Sequence, residues 1–379
     1  MTKARTDTIE KPHVVIAAGG TGGHMFPAQA FATEMTARGW RVGLVTDARG
    51  LRYADNFPAE WIEQVPAASV GSKRPDKVLA ALMRIHAGSN AAKKKMKTDR
   101  PALAVGFGGY PSFPTLWAAR GMKVPIIIHE QNAVLGRVNR VFSSAARYVA
   151  CGFERLDRLP ASATKRKCVV GNPVRVPIKQ VRDRAYPQLQ DGGMINILVT
   201  GGSQGTKLFG EVVPEAIIQL SPVMRRRLMV VQQAREDQVD RVKTIYAKAG
   251  VECLVQPFFS DMHERLSRAH LVIARSGAGT VTELCVTGRP SILIPLGIAM
   301  DDHQRANAEA LEAAGGADVI LEADFSVERL NDLLEERLGP NGGLAERAAA
   351  AHRLAPGDAA GELADLAESA AGVKSVATT

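Results

Sequence analysis

The chain has 379 residues, 46% of them hydrophobic and 23% charged, with a formal net charge of +9 and only 5% aromatic. A chain of this length holds two domains at roughly 100–200 residues each, and its composition supports full cores and excludes global disorder. The positive excess favours anionic partners, whereas the scarcity of aromatics and the lack of an RNA- or DNA-binding signature argue against nucleic acid.

The opening MTKARTDTIEKPH is polar, and the apolar stretch after it, Val14–Ala18, is too short for a signal-peptide core, so the protein is expected to stay on the side where it is made. Pro295 and Gly297 interrupt the longest apolar run, Ser291–Met300, which falls short of the roughly 18 residues that span a bilayer. Any membrane contact would be peripheral. Cys151, Cys168, Cys253 and Cys285 form no C-x-x-C pair, which indicates reduced thiols and neither a zinc site nor a disulfide framework.

HVVIAA at 13–18 reads as a buried strand running into GGTGGH at 19–24, followed by a helix over Pro27–Arg38 that Gly39 closes and a strand over Arg41–Thr46. This is a βαβ unit with a right-handed crossover and a parallel sheet. Asp47 ends the second strand where a dinucleotide site would place its ribose acid. The loop is not G-x-G-x-x-G, however, because Met25 stands at the third glycine, and the nicotinamide reading fails there. Residues 76–97 read as a helix that ends in Lys93, Lys94, Lys95 and Lys97, with Lys73, Arg74 and Lys77 before it and Val78, Leu79, Leu82 and Met83 between. Such a segment either rests on an anionic membrane or, more commonly, turns its stripe to the core and its lysines to water.

Ala102–Phe107 is a strand that leads to Gly108, Gly109, Tyr110, Pro111 and Ser112, and Val124–Ile128 is another that ends in His129, Glu130, Gln131 and Asn132. Ligands of open α/β sheets bind beyond the C-terminal strand ends, so His24, Tyr110, His129, Glu130 and Asn132 are expected to line one cleft. CVVGNPVRVP at 168–177 reads as a linker, which sets the domains at 1–172 and 173–354. INILVTGGSQG at 195–205 repeats the opening theme. Thr206 and Lys207 follow it without completing a Walker pattern, which removes the ATPase reading.

Leu228–Gln232, Val251–Phe258 and Leu271–Ala274 add strands to a second doubly wound sheet, and Phe258–Met262 offers a strand end where a flat base could pack. After Leu271–Ala274 come Arg275, Ser276, Gly277, Ala278, Gly279 and a helix opening at Thr280–Val286, the make-up of an anion site in which unpaired helix N–H groups meet a diphosphate. Glu283, one turn in, could take a ribose diol. Beyond the strand Ser291–Pro295 lie Asp301, Asp302, His303, Gln304 and Asn307, suited to reading a sugar. From about 325 the chain turns helical and alanine-rich, and a terminal helix near 355–379 is expected to pack back on the first domain.

GGTGGH at 19–24, GGY at 108–110, HEQN at 129–132, GNPVR at 171–175, GGSQG at 201–205, RSGAGTVTE at 275–283 and DHQ-x-x-N at 302–307 together resemble, in order, the motifs of the MurG family of bacterial glycosyltransferases. The resemblance covers residues from about 13 to 310. It implies the GT-B class: two doubly wound Rossmann-like α/β domains whose parallel sheets face a central cleft. It also implies an inverting transfer of N-acetylglucosamine from UDP-N-acetylglucosamine to the C4 hydroxyl of undecaprenyl-pyrophosphoryl-N-acetylmuramoyl-pentapeptide (lipid I to lipid II) in peptidoglycan synthesis.

By similarity, Ser203 and the Ser276, Gly277, Ala278, Gly279, Thr280 turn hold the diphosphate, and Arg175 adds positive charge. Glu283 takes the ribose, Phe259 stands at the uracil position, and His303 and Gln304 read the sugar, while Thr21, Gly22, Gly23 and Asn132 close on the donor from the first domain. Gly20, Tyr110 and His129 fall to the acceptor. The chemistry needs a base for the acceptor's proton, with His24 as first choice and Glu130 as second. No D-x-D occurs in the sequence, so no dedicated metal site is expected. No cofactor is required, and a divalent cation would at most stimulate.

The implied partners are UDP-N-acetylglucosamine, lipid I and the anionic surface of the inner membrane at its cytoplasmic face, without nucleic acid. The resemblance also allows for cell-wall synthesis or division proteins. GGYPS stands where GGYVS is commoner, and His303 where some relatives have glutamine. The rival readings are a transferase of the same class with a soluble acceptor and a non-catalytic nucleotide-sugar-binding module, which would need no His24 or Glu130.

Overall fold

The computed structural model describes residues 11–66, 75–190, 192–202, 205–297 and 302–373. The chain divides into two compact units. In the first, β1 (His13–Ala17), α1 (Gly22–Ala37), β2 (Arg41–Thr46), β3 (Trp61–Gln64), α2 (Pro75–Thr98), β4 (Leu103–Gly106), α3 (Ser112–Gly121), β5 (Ile126–Glu130), α4 (Arg137–Phe142), β6 (Tyr148–Cys151) and β7 (Lys167–Val169) follow in order. Among the described residues they build a seven-stranded parallel sheet of order β3-β2-β1-β4-β5-β6-β7. The order reverses between β1 and β4, so the GGTGGH and GGYPS loops flank the topological switch point, where open α/β sheets take their ligands.

The central strands have no polar face because helices cover both sides of the sheet. Val14 and Ile16 pack with Met25, Phe31 and Met35 of α1, whereas Val15 on the opposite face packs with Met96 of α2, Leu116 of α3 and Phe142 of α4. α1 begins at Gly22, earlier than the expected Pro27, so the glycine loop and the helix opening are one piece and His24 rides in the first turn. The edge strands β3 and β7 carry little alternation or apolar excess, β6 beside β7 is only four residues long, and none of the three is expected from the sequence. β7 takes its residues from the stretch read as a linker, because the ladder to β6 supplies partners that the local sequence does not reveal.

The second unit runs through α5 (Val176–Gln180), β8 (Ile195–Thr200), α6 (Lys207–Gln219), α7 (Pro222–Arg225), β9 (Leu228–Gln233), α8 (Val239–Lys248), β10 (Glu252–Gln256), α9 (Met262–Arg268), β11 (Leu271–Ala274), α10 (Ala278–Thr287), β12 (Ser291–Leu293), α11 (His303–Ala313), β13 (Ala317–Val319), α12 (Val327–Leu338) and α13 (Leu344–Arg353). Its parallel sheet has the order β10-β9-β8-β11-β12-β13 among the described residues, and its switch point between β8 and β11 carries the GGSQG and RSGAG loops. Asn132–Val134 cluster with this unit although their neighbours in sequence belong to the first, a detour that the 1–172 boundary does not contain.

The alanine-rich end forms α14 (Ala359–Ala371), which joins the first unit. Its Leu363, Ala364 and Ala367 are buried in the same cluster as Phe31 and Met35 of α1. Arg38 reaches Asp365 at 2.6 Å and Glu368 at 3.0 Å.

Candidate functional site

In the first unit Thr21 is the N-cap of α1, Gly22 is buried, Gly23 is exposed, and His24 closes the first turn with its N–H on the Thr21 carbonyl at 3.2 Å. The N–H of Gly20 donates to Asp47 Oδ1 at 2.9 Å, and the same oxygen accepts from Gly50 at 2.9 Å. Gly20 thus gives the site its backbone shape, while its donor is taken by Asp47, the residue that the dinucleotide comparison had discarded. Gly108 and Gly109 have φ of +80° and +71°, and a Cβ on either would come within 3.5 Å of the His24 ring. The imidazole therefore lies on bare backbone, which non-glycine residues would both strain and crowd. Tyr110 follows, half-buried against Phe142 and its neighbours.

The HEQN stretch is held by bonds within the protein. His129 is fully buried: Gln131 Nε2 donates to its Nδ1 at 3.0 Å, and its Nε2 donates to the Gly171 carbonyl at 3.0 Å. Burial pushes its pKa down to about 4, with the Gly171 bond opposing. A neutral imidazole with both nitrogens engaged inside the core ties this strand end together, at the residue that the resemblance gives to the acceptor. Glu130 is buried as well, and its Oε2 accepts from the Gly136 N–H and the Asn139 amide, both at 2.9 Å. That carboxylate shapes the turn into α4. Asn132 accepts from Asn307 Nδ2 at 3.1 Å, and the same amide donates to the Ser276 carbonyl at 3.1 Å, while Asn307 Oδ1 accepts from Ala133 N–H at 2.9 Å. Asn307 thereby sets Asn132 beside the RSGAG turn.

That turn has the features of an anion cradle. Gly277 is the N-cap of α10, a ten-residue helix, and a Cβ placed on Gly279 would meet open space. The Ser276 hydroxyl is buried and makes no hydrogen bond among the described residues, an unmet polar group that a ligand oxygen would satisfy. Thr280 stands half-buried in the first turn. Glu283 lies one turn further, with Arg175 Nη2 3.6 Å from its Oε1; burial pushes its carboxyl up while Arg175 pulls it down.

Gln304 and His303 open α11. The Gln304 side-chain carbonyl accepts from Leu296 N–H at 3.0 Å, which ties the opening of α11 to the segment after β12. Phe259 is only 4% exposed and lies under Arg265 at 5.1 Å, whereas Phe258 is 69% exposed. The resemblance puts Phe259 at the uracil position, and in the structure its neighbour Phe258 presents the exposed ring of this strand end. Gln233 accepts from Thr200 at 2.8 Å and donates to the Pro257 carbonyl at 3.1 Å, so it fixes the 257–259 segment to the end of β8. Ser203, assigned to the diphosphate, lies outside the described residues. Asp47, Thr200, Gln233, Arg275 and Asn307 form the support for these loops and were missed as such. Their position just past strand ends was the available signal.

The apolar stripe of α2 does not face the core. Leu79, Leu82 and Met83 are 59%, 52% and 59% exposed, while Ala81, Ala92 and Met96 are buried. Lys93, Lys94 and Lys97 are exposed, and Trp117 on the adjacent α3 is 53% exposed. Among the described residues no helix is long and apolar enough to cross a membrane.

Sequence comparison matches residues 14–151 to the glycosyltransferase family 28 N-terminal domain and residues 196–367 to the glycosyltransferase family 28 C-terminal domain. A protein of Maricaulis maris named UDP-N-acetylglucosamine–N-acetylmuramyl-(pentapeptide) pyrophosphoryl-undecaprenol N-acetylglucosamine transferase is 49% identical across 92% of this chain and 95% of its own. One of the same name from Caulobacter vibrioides is 49% identical across 94% and 98%. Among solved structures, MurG of Acinetobacter baumannii superposes with a TM-score of 0.75 at 32% identity, covering 94% of this chain and 99% of that one.

Proposed function

Since this chain belongs to glycosyltransferase family 28, we propose that it performs the reaction for which its close relatives are named. It transfers N-acetylglucosamine from UDP-N-acetylglucosamine to undecaprenyl-pyrophosphoryl-N-acetylmuramoyl-pentapeptide, the step from lipid I to lipid II. The observation that carries the donor side is the open N-terminus of α10 with the buried, unbonded Ser276 hydroxyl at its mouth and Glu283 one turn inside. A diphosphate there meets helix N–H groups and the positive dipole end, and the ribose hydroxyls fall to Glu283.

The transfer is inverting. The acceptor's C4 oxygen attacks the anomeric carbon, the bond to the diphosphate oxygen breaks, and UDP leaves with its new charge held by the α10 amides of Gly277, Ala278, Gly279 and Thr280 and by Arg175. His24 takes the hydroxyl proton, since a neutral imidazole works near neutral pH and this one is exposed enough to be reached at the helix mouth. Glu130, tied into its own turn, becomes the positioning partner of that strand end rather than the base. Gln304 and His303 read the sugar, Thr21, Gly22, Gly23 and Asn132 complete the donor's surroundings, and Tyr110 meets the acceptor. The reaction needs no resident metal, with a divalent ion only stimulating. The outward apolar face of α2 and its lysines rest on an anionic membrane surface, peripherally, at the cytoplasmic face.

The test is acceptor-dependent release of UDP from UDP-N-acetylglucosamine with a short-chain lipid I analogue. His24→Ala is expected to lower it by about 10²–10⁴-fold with donor binding kept. A variant near wild-type rate would remove His24 from the role of base. Tight donor binding without turnover on any lipid acceptor would replace the transferase with a nucleotide-sugar sensor.

A further inference from the structure

Arg275 closes the strand end that begins the RSGAG turn, and no role in the transfer falls to it. It is only 7% exposed, and its guanidinium makes contacts in several directions. Nη1 lies 3.2 Å from the Ile294 carbonyl, 3.3 Å from the Pro295 carbonyl and 2.6 Å from Glu322 Oε2. Nη2 donates to Thr206 Oγ1 at 3.2 Å. The Phe209 ring, fully buried in the core of the second unit, lies 5.2 Å beneath the guanidinium carbon. Glu322 Oε2 also accepts from the Gly297 N–H at 3.2 Å. A continuous chain of bonds thus runs from Thr206, at the end of the loop after β8, through Arg275 and Glu322 to Gly297, in the loop after β12. Leu296 in that second loop is the residue whose N–H holds the Gln304 carbonyl.

We infer that Arg275 is a positioning residue for the nucleotide-sugar: it holds Thr206, at the start of α6, and Gly297, beyond β12, at a fixed spacing on the two sides of the α10 N-terminus. This rests on the reading of the second unit as the donor side. The guanidinium is suited to the task because its planar fork presents donors in different directions from a rigid centre, which a lysine ammonium on a flexible stem cannot do. With Thr206 and Gly297 held before binding, the donor does not have to order them, and the gain falls on affinity rather than on the chemical step. Arg275 itself touches carbonyls, a hydroxyl and a carboxylate of the protein.

The experiment compares wild type, Arg275→Lys, Thr206→Val and the double variant, measuring donor KM and kcat with a short-chain lipid I analogue and, separately, direct titration with UDP and UDP-N-acetylglucosamine. Arg275→Lys should raise the donor KM and the dissociation constant of UDP-N-acetylglucosamine about tenfold with kcat within about threefold, and Thr206→Val should raise both about threefold. The double variant should be no worse than Arg275→Lys alone, because Thr206 acts through Arg275. Loss of folded protein alone would lower kcat in proportion to the active fraction at an unchanged KM, and that pattern would overturn the inference, as would additive effects in the double variant. A wild type that binds UDP-N-acetylglucosamine without turning it over refutes the transferase reading, and the titrations then decide Arg275 on their own. A wild type that does not bind the donor overturns both.

Discussion

His129 and His24 are both histidines beside glycine-rich loops, yet burial separates their work. His24 sits half-buried on the bare backbone of Gly108 and Gly109, while His129 has no exposed surface and spends both ring nitrogens inside the core. Its folded-state pKa near 4 lies below the ordinary 6.5, so as pH falls the unfolded chain takes up the proton first. The contribution of His129 to stability is therefore complete above about pH 6.5 and is lost on the way down to about pH 4, amounting to about 3 kcal/mol over that range. Burial holds His13 and His270 below the ordinary value too, so the informative quantity is a difference between proteins. Denaturant unfolding at pH 7 and pH 5 should show a shallower pH dependence for His129→Gln than for wild type, together with lower stability at pH 7. Equal slopes would mean that His129 is not held neutral. The sequence offers His129 and Glu130 as polar residues after a strand, and only the partners on Gly171, Gly136 and Asn139 reveal that they support the loop.

At the scale of elements, α2 is open to two readings in the sequence, and in the structure Leu79, Leu82 and Met83 of its stripe lie outside the core. The helix buries Ala81, Ala92 and Met96 and turns Leu79, Leu82 and Met83 outward, next to the helix that carries the exposed Trp117. Large apolar side chains grouped on a surface mark a contact site, and lysines further along the helix add attraction to anionic headgroups at about 1 kcal/mol each. Replacing Leu79, Leu82 and Met83 by serine should abolish sedimentation with vesicles that contain anionic lipid. Replacing Lys93, Lys94 and Lys97 by glutamine should weaken it and remove its salt dependence. Turnover of a water-soluble acceptor should survive in both. Unchanged sedimentation would leave this face without a membrane role. Lys73 and Arg74, which the sequence also drew into the basic segment, lie outside the described residues.

Across the whole molecule the chain completes its first unit last. α14 supplies Leu363, Ala364 and Ala367 to the cluster around Phe31 and Met35, although its sequence is dominated by alanine and looks like low complexity. Small side chains let the helix approach closely, and Leu363, fully buried, fills the gap that remains. Leu363→Ala should cost about 2–5 kcal/mol in urea unfolding of the first unit while UDP binding in the second stays intact. A cost below about 1 kcal/mol would mean that the terminal helix is an accessory. The exposed pair of Arg38 with Asp365 adds little to that figure because water screens it.

The sequence by itself determined the class of fold and the place of the glycine loops after β1, β8 and β11. Buried parallel strands must be apolar on both faces, and a chain leaving such a strand for a helix without steric conflict needs glycines, so HVVIAAGGTGG, INILVTGGSQG and LVIARSGAGT declare themselves locally. The seven motifs in order also carried the family, which the relatives in Maricaulis maris and Caulobacter vibrioides bear out. The tertiary structure alone decided which polar residues hold the loops, which side of α2 meets solvent, and that Phe258 rather than Phe259 is the exposed ring. The bonds of Asp47 to Gly20, of Asn307 to Asn132 and of Arg275 to Thr206 span 27, 175 and 69 positions of sequence. A local pattern reports the period and composition of its own segment. It carries no information about a partner that only folding brings within hydrogen-bond distance.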